Sequence, residues 1–169
     1  TDERVNLTTP ALFKRCPEIS DYVNIDIKEL ENLIHPCGFY RNKAKNIKTC
    51  ANQVLNDFNG IVPNNMDDLL TLAGVGRKSA NVILLEVYGI ANGIAVDTHA
   101  KRISNKMGLS NESDPSKIEA DLIKIFDKDD LKFINHLFVW HGRNTCTARN
   151  PKCSNCTVKE FCKYNSSLK

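Results

Sequence analysis

The sequence predicts an all-α protein made of many short helices joined by tight turns. Three observations support this prediction. Apolar residues recur every three or four positions in several segments, which is the spacing of one helix face. Glycine, proline and asparagine separate those segments. Strand patterns are almost absent, since residues 93–96 (Gly-Ile-Ala-Val) are apolar but too few and too isolated to found a sheet.

The composition is that of a folded globular protein. Apolar residues make up 41% and charged residues 25% of the 169 residues, which argues against a disordered or membrane-embedded chain. No segment reaches the length of a membrane span, and the sequence opens on Thr1-Asp2 without the pattern of a signal peptide. We therefore expect a cytoplasmic protein with one sizeable domain or two small ones.

The first half of the sequence predicts three helices. The first covers about residues 42–58 and ends at Asn59-Gly60. Its apolar face contains Ile47, Ala51, Val54, Leu55 and Phe58. A short helix through residues 67–70 follows, and another is expected over Arg77–Tyr88, where Gly89 closes it.

Three more helices are predicted in the second half. Asp97 is a suitable N-cap for a helix that runs through Met107. Ser113-Asp114-Pro115 begins the next helix, with proline at an early helical position. Its apolar residues are Ile118, Leu122, Ile125 and Phe126. The last clear helix ends near His141-Gly142, and its apolar residues are Leu131, Ile134, Leu137 and Phe138.

The segment AGVGRKSANVIL, residues 73–84, places a glycine turn before a helix. It is not a Walker loop, because Arg77 separates Gly76 from Lys78 and because the preceding segment is helical rather than a strand. It is not a dinucleotide-binding loop either, because Ser79 occupies the third glycine position. Two interpretations remain: an ordinary turn between antiparallel helices, and a unit that resembles the helix-hairpin-helix motif of DNA repair proteins.

In the second interpretation the turn binds one DNA phosphate without regard to base sequence, through backbone N–H groups at a helix start. The candidate DNA-binding residues of this segment are Gly74, Val75, Gly76 and Arg77. Lys78 lies in the first helical turn, where the positive end of the helix dipole disfavours a cation and so favours a neutral, nucleophilic amine. The alternative role for Lys78 is a simple contact to phosphate.

Four of the seven cysteines lie close together, as Cys146-x6-Cys153-x2-Cys156-x5-Cys162. A total of seven is odd and four of them are clustered, so the cysteines make a poor disulfide framework and a plausible metal site. Zinc sites usually combine two Cys-x2-Cys pairs and only one is present, so the spacing fits a [4Fe–4S] cluster better than zinc. Arg149 and Lys152 lie between the first two cysteines, and we predict that both contact DNA phosphates.

Together these motifs resemble the endonuclease III family. The resemblance rests on LAGVGRKSANVIL, on AVDTH at residues 95–99, on GFYRNKAKNI at residues 38–47 and on HGRNTCTARNPKCSNC with the fourth cysteine. It extends from the first residues to about Tyr164. Members of this family are iron–sulfur, helix-hairpin-helix DNA glycosylases and apurinic/apyrimidinic lyases of base excision repair, so the resemblance implies the same activity here.

The resemblance also implies a covalent mechanism. Lys78 matches the lysine that attacks C1′ of the damaged nucleotide, expels the base and forms a Schiff base, after which β-elimination nicks the strand on the 3′ side. Asp97 matches the catalytic aspartate, which stabilises positive charge developing on the sugar. The base must leave the stack to reach such a site. Lysine at position 78 indicates a relative of the enzymes that remove oxidised pyrimidines, because the adenine-specific members of the family typically lack this lysine.

The implied architecture is a two-lobed helical glycosylase fold. One lobe covers residues 1–91 and contains the helix-hairpin-helix at about 67–86. The other covers residues 92–169 and ends in the cluster loop, residues 146–162. The implied partner is double-stranded DNA that contains damaged pyrimidines or abasic sites, bound by a monomer associated with the nucleoid.

Two departures from the family pattern stand out. Alanine replaces the usual proline at Ala73, which costs a little turn rigidity. Family members also have an N-terminal helical segment before the point where this sequence begins, so the sequence predicts a chain without that segment. Three alternatives stay open: a non-catalytic DNA-binding module with a structural metal site, a mismatch-specific thymine glycosylase, and a small iron–sulfur electron carrier.

Overall fold

The structure is a computed structural model and describes residues 2–168. These residues contain ten α-helices, joined by turns and loops, and no β-strand. This confirms the predicted all-α class. Residues 94–97 are extended but join no sheet. No helix within the described residues is long and apolar enough to cross a membrane.

The first compact unit covers residues 1–76. Its helices are α1 (Asp2–Arg15), α2 (Ile19–Asn24), α3 (Ile27–Leu33), α4 (Tyr40–Asp57) and α5 (Met66–Thr71). The long α4 packs against α2 and α3. The hydrophobic core here consists of Leu12, Cys16, Ile25, Leu30, Ile34 and Ala44. The bounds of α4 and α5 confirm the helices predicted at 42–58 and 67–70.

The helices α1, α2 and α3 have no counterpart in the sequence prediction. α2 and α3 contain six and seven residues, which is too few to repeat the pattern of a helix face. α1 contains Pro10 in its interior, and an internal proline is a signal for a helix end or a kink. Tertiary packing stabilises these helices, since Leu12 of α1 and Leu30 of α3 are buried in the same cluster.

The second compact unit covers residues 77–169. Its helices are α6 (Arg77–Tyr88), α7 (Thr98–Met107), α8 (Pro115–Ile125), α9 (Leu131–Asn144) and α10 (Lys163–Ser166). α7 packs against both α8 and α9. Their shared core consists of Ile94, Val96, Ala100, Ile103, Ile118, Leu122, Leu131, Ile134 and Phe138. The bounds of α6 to α9 confirm the four helices predicted in this part of the sequence.

The two compact units divide between Gly76 and Arg77. α6 thus belongs to the second unit. Asn81, in the second turn of α6, donates hydrogen bonds to the carbonyl of Ile94 at 3.2 Å and to Glu119 of α8 at 2.8 Å. The division predicted from the sequence, between residues 91 and 92, is a different one and stays a prediction.

Candidate functional site

The glycine turn before α6 is held by side chains of α4. Gln53 accepts a hydrogen bond from the backbone N–H of Ala73 at 2.8 Å and donates one to the carbonyl of Thr71 at 3.0 Å. Gly74 has a φ of +80°, and a Cβ placed there would lie 2.9 Å from the amide nitrogen of Asn46. Gly74 therefore serves the fold twice, through its left-handed backbone and through the close approach of α4.

Gly76 differs from Gly74 in both respects. Its φ is not in the left-handed region, and a Cβ placed there would meet no atom within 4 Å. The space beside Gly76 is open, so nothing in the described protein explains why a side chain is absent. A glycine with room around it and a helix start behind it is suited to the close approach of a ligand to the backbone.

The first turn of α6 carries two cations and no acidic residue. Lys78 is exposed, and within residues 2–168 its amine takes part in no hydrogen bond or ion pair. Arg77 is different, because its Nε lies 2.5 Å from Oε2 of Glu119. Of these two neighbouring cations, Arg77 is held in an ion pair, whereas the amine of Lys78 is available to react.

Asp97 is the N-cap of α7. Its Oδ1 accepts a hydrogen bond from the backbone N–H of Ala100 at 2.8 Å, and its side chain is half-buried. Its Oδ2 accepts no hydrogen bond from any described residue. The cap holds the carboxylate in one orientation and leaves one oxygen for another partner. Lys78 and Asp97 lie in the same compact unit, and no direct ion pair joins them in the described chain.

The four clustered cysteines line one cavity, which is also lined by Ile103 and Met107 of α7 and by His141 of α9. Cys146 follows α9, and Cys162 precedes α10. Between them, 3₁₀ turns at Cys153–Asn155 and Lys159–Phe161 direct the chain around the cavity. All four cysteines are free thiols and partly buried.

The four thiols supply the ligand set of an iron–sulfur cluster. A [4Fe–4S] cluster takes one cysteine thiolate per iron, so it needs four thiols around a shared space. All four cysteines line the same cavity. The cavity and the four-thiol donor set therefore fit an iron–sulfur cluster.

Arg102 of α7 connects that helix to the start of the cluster loop. Its guanidinium donates to the carbonyl of Cys146 from Nη2 at 2.8 Å and from Nε at 3.2 Å, and to the carbonyl of Gly142 at 3.2 Å. Nη2 also lies 3.2 Å from Nδ1 of His99. Burial raises the pKa of the Cys146 thiol, while the cations Lys106 and Arg102 oppose that shift. The sequence gives no local signal for this connection.

Arg149 and Lys152 are both exposed in the cluster loop. Neither side chain has a hydrogen bond or an ion pair with another residue between 2 and 168. The backbone beneath them is fixed, since the N–H of Lys152 donates to the carbonyl of Thr145 at 2.9 Å, and the hydroxyl of Thr147 donates to the carbonyl of Asn150 at 2.6 Å. The loop presents two solvent-facing cations from a defined backbone.

Two family models match the chain. The one described as HhH-GPD superfamily base excision DNA repair protein matches residues 1–128. The one described as iron-sulfur binding domain of endonuclease III matches residues 146–162, a range that begins and ends on clustered cysteines. Together they contain every residue that the sequence predicts for catalysis, DNA contact and cluster binding.

Similar proteins agree with these matches. The endonuclease III of Synechocystis is 46% identical over 96% of this chain and 74% of its own length. A solved structure of a trapped endonuclease III–DNA covalent intermediate is 36% identical, with a TM-score of 0.94 over 99% of this chain and 79% of the other. A thermostable thymine-DNA glycosylase has a TM-score of 0.88 over 99% of this chain and 78% of the other, but its 22% identity shows a shared fold alone.

Proposed function

Because the chain belongs to the endonuclease III family of base excision DNA repair enzymes, we propose that Lys78 and Asp97 carry out its chemistry. The protein is a DNA glycosylase and apurinic/apyrimidinic lyase, and it carries a [4Fe–4S] cluster. The observation that carries the proposal is the contrast within the second unit between an exposed, unpaired amine at one helix start and an oriented carboxylate at the next.

Lys78 acts as the nucleophile. Its neutral amine attacks C1′ of the damaged nucleotide, and the bond between C1′ and the base breaks with its electron pair leaving on the base. Loss of a proton from nitrogen and opening of the sugar ring produce a Schiff base between Nζ and C1′. Removal of a proton from C2′ then drives β-elimination, which breaks the C3′–O bond. Water hydrolyses the Schiff base and returns the free lysine.

Asp97 stabilises the positive charge that develops at C1′ as the base departs. A carboxylate does this best when its position is set before the reaction, because no reorganisation is then required. The hydrogen bond from Ala100 fixes Oδ1, while Oδ2 accepts no bond from the described protein. The capping role and the chemical role of Asp97 are therefore compatible.

DNA binding is assigned to backbone and to exposed cations. Gly74 and Gly76 offer N–H groups to one phosphate, and Arg77 adds positive charge beside them. Val75 contributes through its place in the turn, because its own N–H donates to the carbonyl of Leu72 at 3.1 Å. Arg149 and Lys152 contact a second stretch of the DNA backbone. The cluster would be held by four cysteines, Cys146, Cys153, Cys156 and Cys162. Their binding would fix the conformation of the loop that contains those two cations. The substrate is double-stranded DNA with oxidised pyrimidines or abasic sites, which places the enzyme at the nucleoid.

Borohydride trapping on abasic-site DNA tests this proposal. The wild-type protein is expected to form a covalent adduct, and Lys78→Gln to form none while still binding the DNA. Lys128→Gln, which changes an exposed lysine of the same unit, is the matched control and is expected to trap normally. An adduct that persists in Lys78→Gln would show that another amine attacks. A wild-type protein that binds the DNA and traps nothing would identify a non-catalytic binding module instead.

A further inference from the structure

A buried carboxylate in the second unit has no role in the chemistry described so far. Glu119 of α8 is 2% exposed, although a glutamate is almost never buried without a reason. Its Oε2 accepts a hydrogen bond from Nε of Arg77 at 2.5 Å. Its Oε1 accepts hydrogen bonds from the amide of Asn81 at 2.8 Å and from the backbone N–H of Ile94 at 3.3 Å. Both carboxylate oxygens are thus used within the protein.

These partners belong to the two segments that carry the proposed reacting groups. Arg77 and Asn81 lie on α6, directly before Lys78 and one turn after it. Ile94 lies three residues before Asp97, in the extended connection that leads into α7. One carboxylate therefore holds the start of α6 and the approach to α7 at the same time. Asn81 reinforces the connection, since it also donates to the carbonyl of Ile94 at 3.2 Å.

The packing around the carboxylate leaves no room for a side chain at Gly93. A Cβ placed at Gly93 would press against Oε1 of Glu119 and Oδ1 of Asn81 more closely than real atoms approach. The adjoining residues Ile94, Ala95 and Val96 are all buried. The carbonyl of Ala95 also accepts a hydrogen bond from Asn135 of α9 at 2.5 Å. The connection before Asp97 is therefore fixed from both α8 and α9.

Stability alone does not account for this carboxylate. Glu119 has a side-chain exposure of 3%, whereas that of its partner Arg77 is 45%. Burying a charge carries a large desolvation cost, and a well-packed apolar residue is often as stabilising as a buried ion pair. What a hydrogen-bonded carboxylate supplies, and an apolar residue does not, is directional contact with several donors at once.

We propose that Glu119 is a positioning residue for the lyase and glycosylase reactions, which sets the separation of Lys78 and Asp97 by binding Arg77 and Ile94 together. This inference rests on the proposed roles of Lys78 and Asp97. Glu119 acts through those two segments and does not itself contact the DNA. Arg77 accordingly contributes to the chemistry as the partner of Glu119, in addition to its charge at the DNA-binding edge.

The test is single-turnover borohydride trapping on abasic-site DNA at saturating enzyme, with Glu119→Gln compared with wild type. We expect the trapping rate to fall by about 10- to 100-fold, because displacement of reacting groups by about 1 Å has effects of this size. The final amount of adduct and the DNA dissociation constant are expected to stay unchanged. A Glu119 that only supports folding would lower the amount of adduct without slowing its formation, and that result would overturn the proposal.

The matched control is Asp121→Asn on the same helix. Asp121 accepts a hydrogen bond from Ser110 at 2.8 Å and lies 3.7 Å from Lys124, and within residues 2–168 it contacts neither α6 nor the connection before Asp97. We expect Asp121→Asn to trap at the wild-type rate. A loss of rate in this control equal to that of Glu119→Gln would show a general effect of α8 and contradict the positioning role.

A double variant keeps the test decisive if Glu119→Gln folds poorly. Arg77→Gln with Glu119→Gln leaves no unpaired charge in the buried site. If the two residues act as one unit, the double variant traps no more slowly than the slower single variant. Effects that multiply would show that the residues act independently. Wild type and Lys78→Gln are run alongside, because only a failure of those two speaks against the proposed function itself.

Discussion

The two helices that carry the proposed reacting groups begin in opposite ways. α6 follows a glycine, which has no side chain to cap it, and its first turn contains Arg77 and Lys78 without an acidic residue. α7 begins with a carboxylate cap, and Asp97 satisfies the N–H of Ala100. The start of α6 therefore leaves its N–H groups to an external anion, whereas at α7 one of these groups has a partner within the protein.

The difference shows how one structural rule can be used for two purposes. The free N–H groups of a helix start attract negative charge. At α7 the protein supplies that charge itself, and the bond that results orients a carboxylate. At α6 it leaves the position open, which suits a phosphate. Four predictions test this contrast, in order of decreasing effect.

The largest effect is expected from Asp97→Asn. Asparagine caps a helix as well as aspartate does, so the unfolding temperature should not change, while loss of the charge should slow base release by about 100-fold. Asp97→Ala should slow base release as much and also lower the free energy of unfolding by about 1 kcal/mol, because the cap is lost. Single-turnover base release and thermal unfolding measure the two quantities. Full activity in Asp97→Asn would show that Asp97 only caps the helix and that its charge has no role in base release.

The second prediction concerns the cluster loop, which α7 contacts through Arg102. Wild-type protein should contain about four irons and four sulfides per chain. Cys156→Ser should lose most of that iron and weaken DNA binding, because the loop that carries Arg149 and Lys152 is no longer held. Cys37→Ser, in the first unit, is the control and should retain the iron. Iron and sulfide analysis with a DNA-binding titration is the measurement, and stoichiometric zinc without iron would contradict the cluster assignment.

The third prediction separates the two glycines of the turn. Gly76→Ala should leave stability unchanged, since its Cβ meets nothing, and should raise the DNA dissociation constant by about tenfold by obstructing a phosphate. Gly74→Ala should lower the free energy of unfolding by about 1–2 kcal/mol, because its left-handed φ of +80° and the contact with Asn46 disfavour a side chain. An unchanged DNA affinity in Gly76→Ala would contradict the proposal that this turn binds a phosphate.

The smallest effect is expected from single changes of the loop cations. Arg149→Gln and Lys152→Gln should each weaken DNA binding only a few-fold at low salt and reduce the slope of log K against log salt by about 0.9. Lys128→Gln should leave the slope unchanged, since that lysine lies outside the loop. Binding titrations over a range of salt concentrations give the slopes. A slope that both loop variants leave intact would mean that neither cation contacts a phosphate.

Helix positions were predictable wherever local signals were strong. The helix of residues 77–88 was predicted with the bounds that α6 has, because a glycine closes it on the C-terminal side and apolar residues mark one face. Asp114 and Pro115 likewise marked the start of α8. The four clustered cysteines were also visible from their spacing, whereas the roles predicted for Lys78 and Asp97 came from the resemblance of their short motifs to the family.

The connections that hold those motifs in place were not predictable. Glu119 lies 42 residues after Arg77, and nothing around it in the sequence distinguishes it from an exposed helix glutamate. Gln53 lies 20 residues before Ala73, within a helix whose pattern indicates only which face is buried. Helix periodicity describes which side of a helix faces the core, and it contains no information about which distant residue meets it there.

The sequence by itself determined the helical class and the positions of most helices, and it contained the motifs that predict the reacting groups and the cluster ligands. These depend on interactions among residues a few positions apart. Only the tertiary structure decided that α6 groups with residues 77–169, that Arg77 is paired while Lys78 is free, and that one buried carboxylate connects the two helix starts. The physical reason is that burial and long-range hydrogen bonds exist only once distant segments have packed together.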